Sequence, residues 1–297
     1  MVLPKISVKL VEILRAHKGA VFALDAPKNA DTFYSGCGNG YLLKWDVNLL
    51  TKVEALARIP SNIFCIKQIS PNLLLAGTLQ GNIYFINLTE KQLVKQPIKL
   101  PKAIYAFLPI GNICFIACGD GRLYTLNLKK LEITSSSVIS SKALRGLNVY
   151  NNHLLITSSD GGIYEFDTQS KSITRSFQKH TNSVFCQMVV GDVLIAGSRD
   201  AHLSKWDLVN AKLLDFVPAH NFTINQIVKL GKLPFFATAS RDRTIKIWDE
   251  NLNLLKVIDF ARYGAHLHSV NNLRYLNKSG YLLSASDDRT LALWKID

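Results

Sequence analysis

Short apolar runs recur along the whole chain, each closed by a few turn-forming residues. Residues 143–178 show the pattern most clearly. There "ALRGLNVY" (143–150), "HLLITSS" (153–159), "GIYEFD" (162–167) and "SITRSFQ" (172–178) are separated by Asn-Asn, Asp-Gly and "TQSK". Runs of this length, rich in Leu, Ile, Val, Phe and Tyr, predict β-strands joined by tight turns. Asp160-Gly161 is a strong turn signal, because the turn needs positive φ and glycine supplies it at little steric cost. No unit holds helical periodicity over a useful length. The longest uninterrupted apolar stretches, such as "ICFIAC" at 113–118, are far too short to span a membrane.

The four-strand pattern itself repeats. Aligning the chain on the Trp-Asp of "SRDRTIKIWD" (240–249) sets seven pairs in one register: Trp45-Asp46, Ile86-Asn87, Leu126-Asn127, Phe166-Asp167, Trp206-Asp207, Trp248-Asp249 and Trp294-Lys295. The intervals are 41, 40, 40, 40, 42 and 46 residues, so internal repetition organises the chain into seven units. A period near 40, four strands per unit and a Trp-Asp signature resemble the WD40-repeat β-propeller family. The resemblance covers essentially the whole chain; its motifs are strong in units one, five, six and seven and eroded in two to four. It implies an all-β, seven-bladed β-propeller of four-stranded antiparallel blades, forming one domain over residues 1–297. After Trp294 only Lys295, Ile296 and Asp297 remain, so the seventh unit lacks an outer strand, whereas "VKLVEIL" (8–14) is a spare strand ahead of the first unit. In the family the N-terminal strand commonly completes the last blade. Residues 8–14 are therefore expected to pair with the blade containing 270–296, which removes a bare terminal interface.

At 297 residues the chain has room for two average domains or one large β domain. Its formal charge is +13, unevenly spread: residues 55–159 hold eleven Lys/Arg against Glu90, Asp120 and Glu132. A basic surface steers acidic partners, nucleic acid or anionic lipid, or simply keeps a face solvated. The five cysteines (Cys37, Cys65, Cys114, Cys118, Cys186) include no CxxC pair and read as reduced, buried thiols rather than a zinc site. The N-terminal "MVLPKISVKLVEIL" carries Lys9 and Glu12 inside its apolar stretch, unlike a signal peptide, so a cytoplasmic protein with no membrane partner is expected.

Four histidines stand four residues before the aliphatic that starts an inner strand: His17 before Val21, His180 before Val184, His220 before Ile224, His266 before Val270. Eight and six residues before each Trp lie Ser198 and Asp200, Ser240 and Asp242, Ser286 and Asp288, with Cys37 and Asn39 in unit one. The resemblance implies that His, Ser, Asp and Trp of one blade form a buried hydrogen-bond chain, ending at Trp45, Trp206, Trp248 and Trp294. The chemistry suits it: a buried indole N–H needs an acceptor, a hydroxyl both accepts and donates, and a carboxylate orients the imidazole. The rival reading is a Ser-His-Asp hydrolase. It fails on multiplicity, since the set occurs in full three times, each time tied to a Trp, and no G-x-S-x-G, P-loop or metal-binding His pair accompanies it. The expectation is a non-enzyme without cofactor or metal. His153, His202 and His268 fit no blade register and are expected in exposed loops. In units two to four Ile86, Leu126 and Phe166 replace Trp, no indole needs satisfying, and those blades are expected to be held by packing.

The resemblance also places the inner strands around a central channel, with the residue after the strand-starting aliphatic near its mouth. In order these are Phe22, Phe64, Tyr105, Arg145, Phe185, Asn225 and Asn271. Two readings stand: the aromatics fill the channel as core, or they grip a partner side chain by stacking and cation–π contact. Arg145 is ill suited to an apolar plug and well suited to a carboxylate or phosphate. No acidic residue occurs at these positions, so an acidic, phosphorylated or C-terminal-carboxylate ligand is favoured. The expected function is a non-catalytic scaffold binding protein or peptide partners, as a monomer or as a subunit of a larger complex. The alternative is nucleic-acid association through Lys91, Lys95, Lys99, Lys102, Lys129, Lys130 and Lys142, which rests on charge alone.

Overall fold

In blade 4 the strands run Leu144–Tyr150, His153–Ser158, Gly162–Asp167 and Ser172–Gln178, within one residue of the limits set by the apolar runs and their turns. Gly161 adopts φ +94 in the Asp-Gly turn. The computed structural model describes residues 6–27, 30–264 and 266–297; residues 1–5 of the expected domain lie outside them. The described residues form seven antiparallel sheets arranged as a seven-bladed β-propeller.

Position in the blade decides how each strand reads. The second strands, for example Ile113–Cys118 and Val193–Ser198, are buried at every residue but the first, because neighbouring blades cover both their faces. Small residues such as Ala117 and Gly197 allow that close approach; a Cβ on Gly197 would meet Ile224 of the next blade at 2.7 Å. Outer strands such as Glu132–Val138 alternate exposed and half-buried, as expected for a sheet edge.

Each inner strand carries the same irregularity. The pairing register slips between its first and third residues: Val21/Ala23, Ile63/Cys65, Ile104/Ala106, Leu144/Gly146, Val184/Cys186, Ile224/Gln226 and Val270/Asn272. The residue skipped in each blade is the predicted mouth residue. A bulge of this kind frees one residue from the ladder and re-aims its side chain.

The ring closes as expected. Val8–Leu14 pairs antiparallel with Leu291–Ile296, Leu10 opposite Trp294 and Leu14 opposite Leu291. Inner strands add a second seal, since Asn271, Asn272 and Arg274 of blade 7 donate to the carbonyls of Val21, Phe22 and Leu24 in blade 1.

Two features depart from the regular repeat. A single helical turn, Phe260–Tyr263, capped by Asp259 and by Gly264 at φ 73, occupies the longest interval between units. The outer strand of blade 2 is split into Gln92–Leu93 and Ile98–Lys99, with Pro97, which has no N–H for the ladder, in the gap. Among the described residues no helix is long and apolar enough to cross a membrane. All five cysteines are free, and burial pushes the Cys114 thiol up to about 12.

Candidate functional site

The seven bulged residues converge on one central cavity of about 550 Å³. Five of them touch in series. Phe22 meets Phe64 edge-on at 5.3 Å, Phe64 stacks on Tyr105 at 5.9 Å, and the Arg145 guanidinium lies 4.1 Å over Tyr105 and 4.7 Å over Phe185. Arg145 Nε donates to Ser159 Oγ at 2.8 Å, which fixes the plane of the guanidinium. Burial, aided by nearby Arg199, lowers the Arg145 pKa. All seven are half-buried, so the rings are neither sealed core nor free surface. Asn225 and Asn271 play another part: Asn225 Nδ2 donates to Val270 O at 2.8 Å, and Asn271 Nδ2 to Val21 O at 3.1 Å and Asp287 Oδ1 at 2.7 Å. Their amides tie adjacent blades. The charged side chains lining the cavity, among the described residues, are Lys67, Arg145 and Arg274.

The histidines, carboxylates and indoles lie where the sequence places them, but the hydroxyl that joins them is a different residue. In blade 6, Trp248 Nε1 donates to Thr238 Oγ1 at 2.9 Å, His220 Nε2 lies 2.7 Å from the same oxygen, and His220 Nδ1 lies 2.8 Å from Asp242 Oδ2. Blade 7 repeats this through Ser284, which joins Trp294 at 2.9 Å to His266 at 2.7 Å, with Asp288 at 3.1 Å from Nδ1. The joining hydroxyl is ten residues before Trp, not eight. Ser198, Ser240 and Ser286 instead accept the backbone N–H of Asp200, Asp242 and Asp288 and donate to carbonyls of the loop ahead of the inner strand. They brace the turn that presents the Asp. Since the indole can only donate, the hydroxyl proton points to His Nε2 and the Nδ1 proton to the carboxylate.

Burial alone would raise these Asp pKa values. The hydrogen bonds from His and backbone N–H groups outweigh it, holding Asp200 at about 2 and Asp242 and Asp288 well below the usual carboxylate range. Thr238 and Ser284 are fully buried and already engaged by two partners each, unlike an exposed nucleophile.

Blades 1 and 5 carry incomplete versions. In blade 1, Ser35 joins Trp45 at 2.8 Å to His17 at 2.6 Å, but Asn39 stands at the Asp position and donates to Lys18 O, leaving buried His17 Nδ1 without a partner among the described residues. Burial pushes the His17 pKa down to about 4. In blade 5, His180 meets Asp200 at 3.0 Å, but the position ten before Trp206 is Ala196. Ser204 on the neighbouring strand bonds His180 Nε2 at 2.9 Å, and the buried Trp206 Nε1 finds no acceptor among the described residues.

The packing expectation needs correction for blades 3 and 4, which carry polar locks of their own. Tyr124 donates to Asp120 at 2.6 Å; Tyr164 and Ser140 both donate to Asp160, at 2.7 and 2.5 Å. Ser140 stands four residues before Leu144, the position His takes elsewhere. The Asp-x-x-x-Tyr spacing common to both units was a visible signal. In blades 2 and 3 the His position is filled by buried Ile59 and Leu100.

Two of the unplaced histidines also differ from expectation. His153 starts a strand and lies 2.6 Å from buried Glu165, which also holds Arg175. His202 starts a strand and stacks on Phe216 at 4.6 Å. Only His268 of the three is exposed in a loop.

The basic sector does not form one patch. Lys102 and Lys142 lie in loops leading to inner strands, on the mouth face, whereas Lys91, Lys129 and Lys130 lie in turns at the opposite ends of the strands. Lys91 pairs with Glu54 at 2.6 Å, Lys95 donates to Leu131 O at 3.1 Å, and Lys99 donates to Gln80 O. Much of this charge is spent on tying segments together.

The seven sheets and their buried relays define a seven-bladed β-propeller, and propellers of the WD40 type generally bind protein partners. A family model described as "WD domain, G-beta repeat" matches residues 8–46, 211–249 and 259–295. The chain thus carries WD40 repeats at three positions, consistent with the WD40-repeat family. Each matched segment ends one residue after Trp45, Trp248 or Trp294, the three indoles joined to a histidine through a hydroxyl. Over 71 residues the chain is 32% identical to the kinesin-like protein KIF21B of Homo sapiens, and likewise to that of Mus musculus. That match covers 24% of this chain and 4% of each relative, so the chain spans a small fraction of the relatives' length.

Proposed function

We propose that this chain, as a single propeller domain, is a non-catalytic interaction scaffold whose channel mouth receives an anionic segment of a protein partner, a carboxylate or a phosphorylated residue. One observation carries the reading: Arg145 is clamped between Tyr105 and Phe185 in a cavity whose charged lining is cationic. The Ser159 bond uses Nε, so the two terminal nitrogens are presented for bidentate recognition. Phe22 and Phe64 extend the apolar wall beside the guanidinium, a common anchor arrangement in interfaces. Asn225 and Asn271 hold the rim rather than the ligand.

The test is affinity purification of the intact chain beside the Phe64→Ala/Arg145→Ala double variant, with mass spectrometry of the co-eluting proteins. The double variant is expected to lose a partner that the parent retains. Retention of every partner would remove the mouth as the site. A salt titration gives a second readout: a peptide contact declines gently, whereas binding to nucleic-acid phosphates collapses between low and moderate salt.

A further inference from the structure

The face opposite the mouth carries a second recess. It lies in the seam between blades 5 and 6, where the inner strands end and the third strand turns outward. Met188, Val190, Val193, Ile195, Phe235 and Phe236 form its wall. Lys205 and Lys229 stand at its edge with the exposed Glu250. Lys205 Nζ donates to the Glu250 carbonyl at 2.7 Å and so pins the two blades apart at a fixed width.

The corresponding seams elsewhere are different in kind. Between blades 1 and 2 the recess is mixed: Ile69, Pro71 and Tyr34 alternate with Asp25, Thr32, Lys44 and Gln68. Between blades 4 and 5, Arg175 crosses the seam and donates to the carbonyls of Leu208 and Val209. Of these three, the blade 5–6 seam has the most uniformly apolar wall, with its charged groups confined to the edge.

We propose that this seam binds one apolar side chain flanked by carboxylates, presented by an extended segment of a partner protein. This goes beyond the reading of the mouth and does not depend on it. Size argues for a single side chain: the recess measures about 160 Å³, whereas small-molecule sites usually run from about 300 Å³ upward. An apolar cavity of about 150 Å³ accepts a benzene-sized group, which matches a leucine or phenylalanine. Charge argues for acidic neighbours, since two ammonium groups oppose one carboxylate at the edge. Met188 adds adaptability, because its unbranched thioether re-packs around different shapes.

Met188 also makes the test direct, for Met1 is the only other methionine in the chain. With the full chain labelled at the methionine methyl carbons, an N-acetylated, C-amidated Asp-Leu-Asp peptide should shift the Met188 resonance saturably. Asp-Ala-Asp and Lys-Leu-Lys should bind at least about tenfold more weakly, the former for lost burial and the latter for charge. Lys229→Glu should weaken Asp-Leu-Asp several-fold, and Lys229→Gln by less, in a fold that stays intact by circular dichroism. The Phe64→Ala/Arg145→Ala variant should titrate like the parent, so failure of the mouth and failure of the seam are separable. An unmoved Met188 signal, or equal affinity for all three peptides, would overturn the proposal.

Discussion

Blades 6 and 7 each carry an unbroken polar chain from indole to carboxylate, whereas blade 2 has aliphatic side chains at the corresponding Trp and His positions, Ile86 and Ile59. All three blades nevertheless adopt the same architecture. The difference teaches that the relay is a consequence of burying Trp, not a requirement of the blade. An indole N–H in the interior needs an acceptor, the acceptor needs a proton destination, and the imidazole needs a carboxylate. Replace the indole with Ile and the whole obligation lapses. Blades 1 and 5 show what happens when only one link is missing: among the described residues each leaves one relay nitrogen without a partner, His17 Nδ1 and Trp206 Nε1.

The comparison can be broken most forcefully at its closure point. Deleting residues 1–14 removes the outer strand of blade 7 and with it the buried Leu14. The expected loss exceeds about 4 kcal/mol, beyond most single core truncations, measured by urea unfolding; an unchanged midpoint would show that the relay alone holds blade 7.

Next is the acid response, where the buried histidines and the relay carboxylates should separate by pH. Unfolded His17 titrates near 6.5 and folded His17 near 4. Between those values the unfolded chain binds the extra proton, so this stability is complete above 6.5 and drains as pH falls toward 4. At about 1.4 kcal/mol per pH unit the loss approaches about 3 kcal/mol. His220, whose pKa is lowered by burial against the opposing pull of Asp242, adds to the same slope. The carboxylates act lower: Asp200, depressed to about 2, gives stability that is present above pH 3.8 and lost as pH falls through its folded value. Asn39→Asp should supply the missing partner of His17 and flatten the upper limb only, as read from melting temperature across pH.

Similar in size at its upper end is the comparison between hydroxyls. Thr238→Val strands both Trp248 Nε1 and His220 Nε2 and should cost about 2–4 kcal/mol. Tyr164→Phe in blade 4 leaves Asp160 its bonds from Ser140 and the Gly162 N–H, so about 1 kcal/mol is expected. Denaturant midpoints of the two variants should differ in that order. Last, Trp206→Phe removes a donor that already lacks an acceptor, and should leave stability within about 1 kcal/mol of the parent. A loss as large as that of Trp248→Phe would mean the Trp206 indole has a partner in solution.

Periodicity made much of this legible. Seven units and the strands of blade 4 follow from spacing along the chain, because strand length and turn chemistry are local; spacing also showed a spare strand and a vacancy, and the resemblance to WD40-repeat propellers implied that residues 8–14 fill it. The mouth residues were implied by the resemblance, which puts the residue after the first inner-strand aliphatic at the channel; the structure supplies the reason, a bulge at that place in every blade. The joining hydroxyl was harder. Positions eight and ten before Trp lie on one strand and point to the same side, so alternation cannot choose between Ser240 and Thr238. Only the diagonal offset between strands does, and it sets Thr238 opposite Lys246 rather than Trp248. The seat of His153 on Glu165 depends likewise on how adjacent strands are offset, whereas the split outer strand of blade 2 has a local cause in Pro97.

What the sequence determined by itself was the number of blades, their order and which side chains enter the channel, all set by a short-range pattern copied seven times. What only the tertiary structure decided was which polar atoms meet, where the lysines point, and which seam between blades stays open. Those outcomes arise between copies, where small differences in side-chain length are resolved by contact across blades and not by the repeat that built each one.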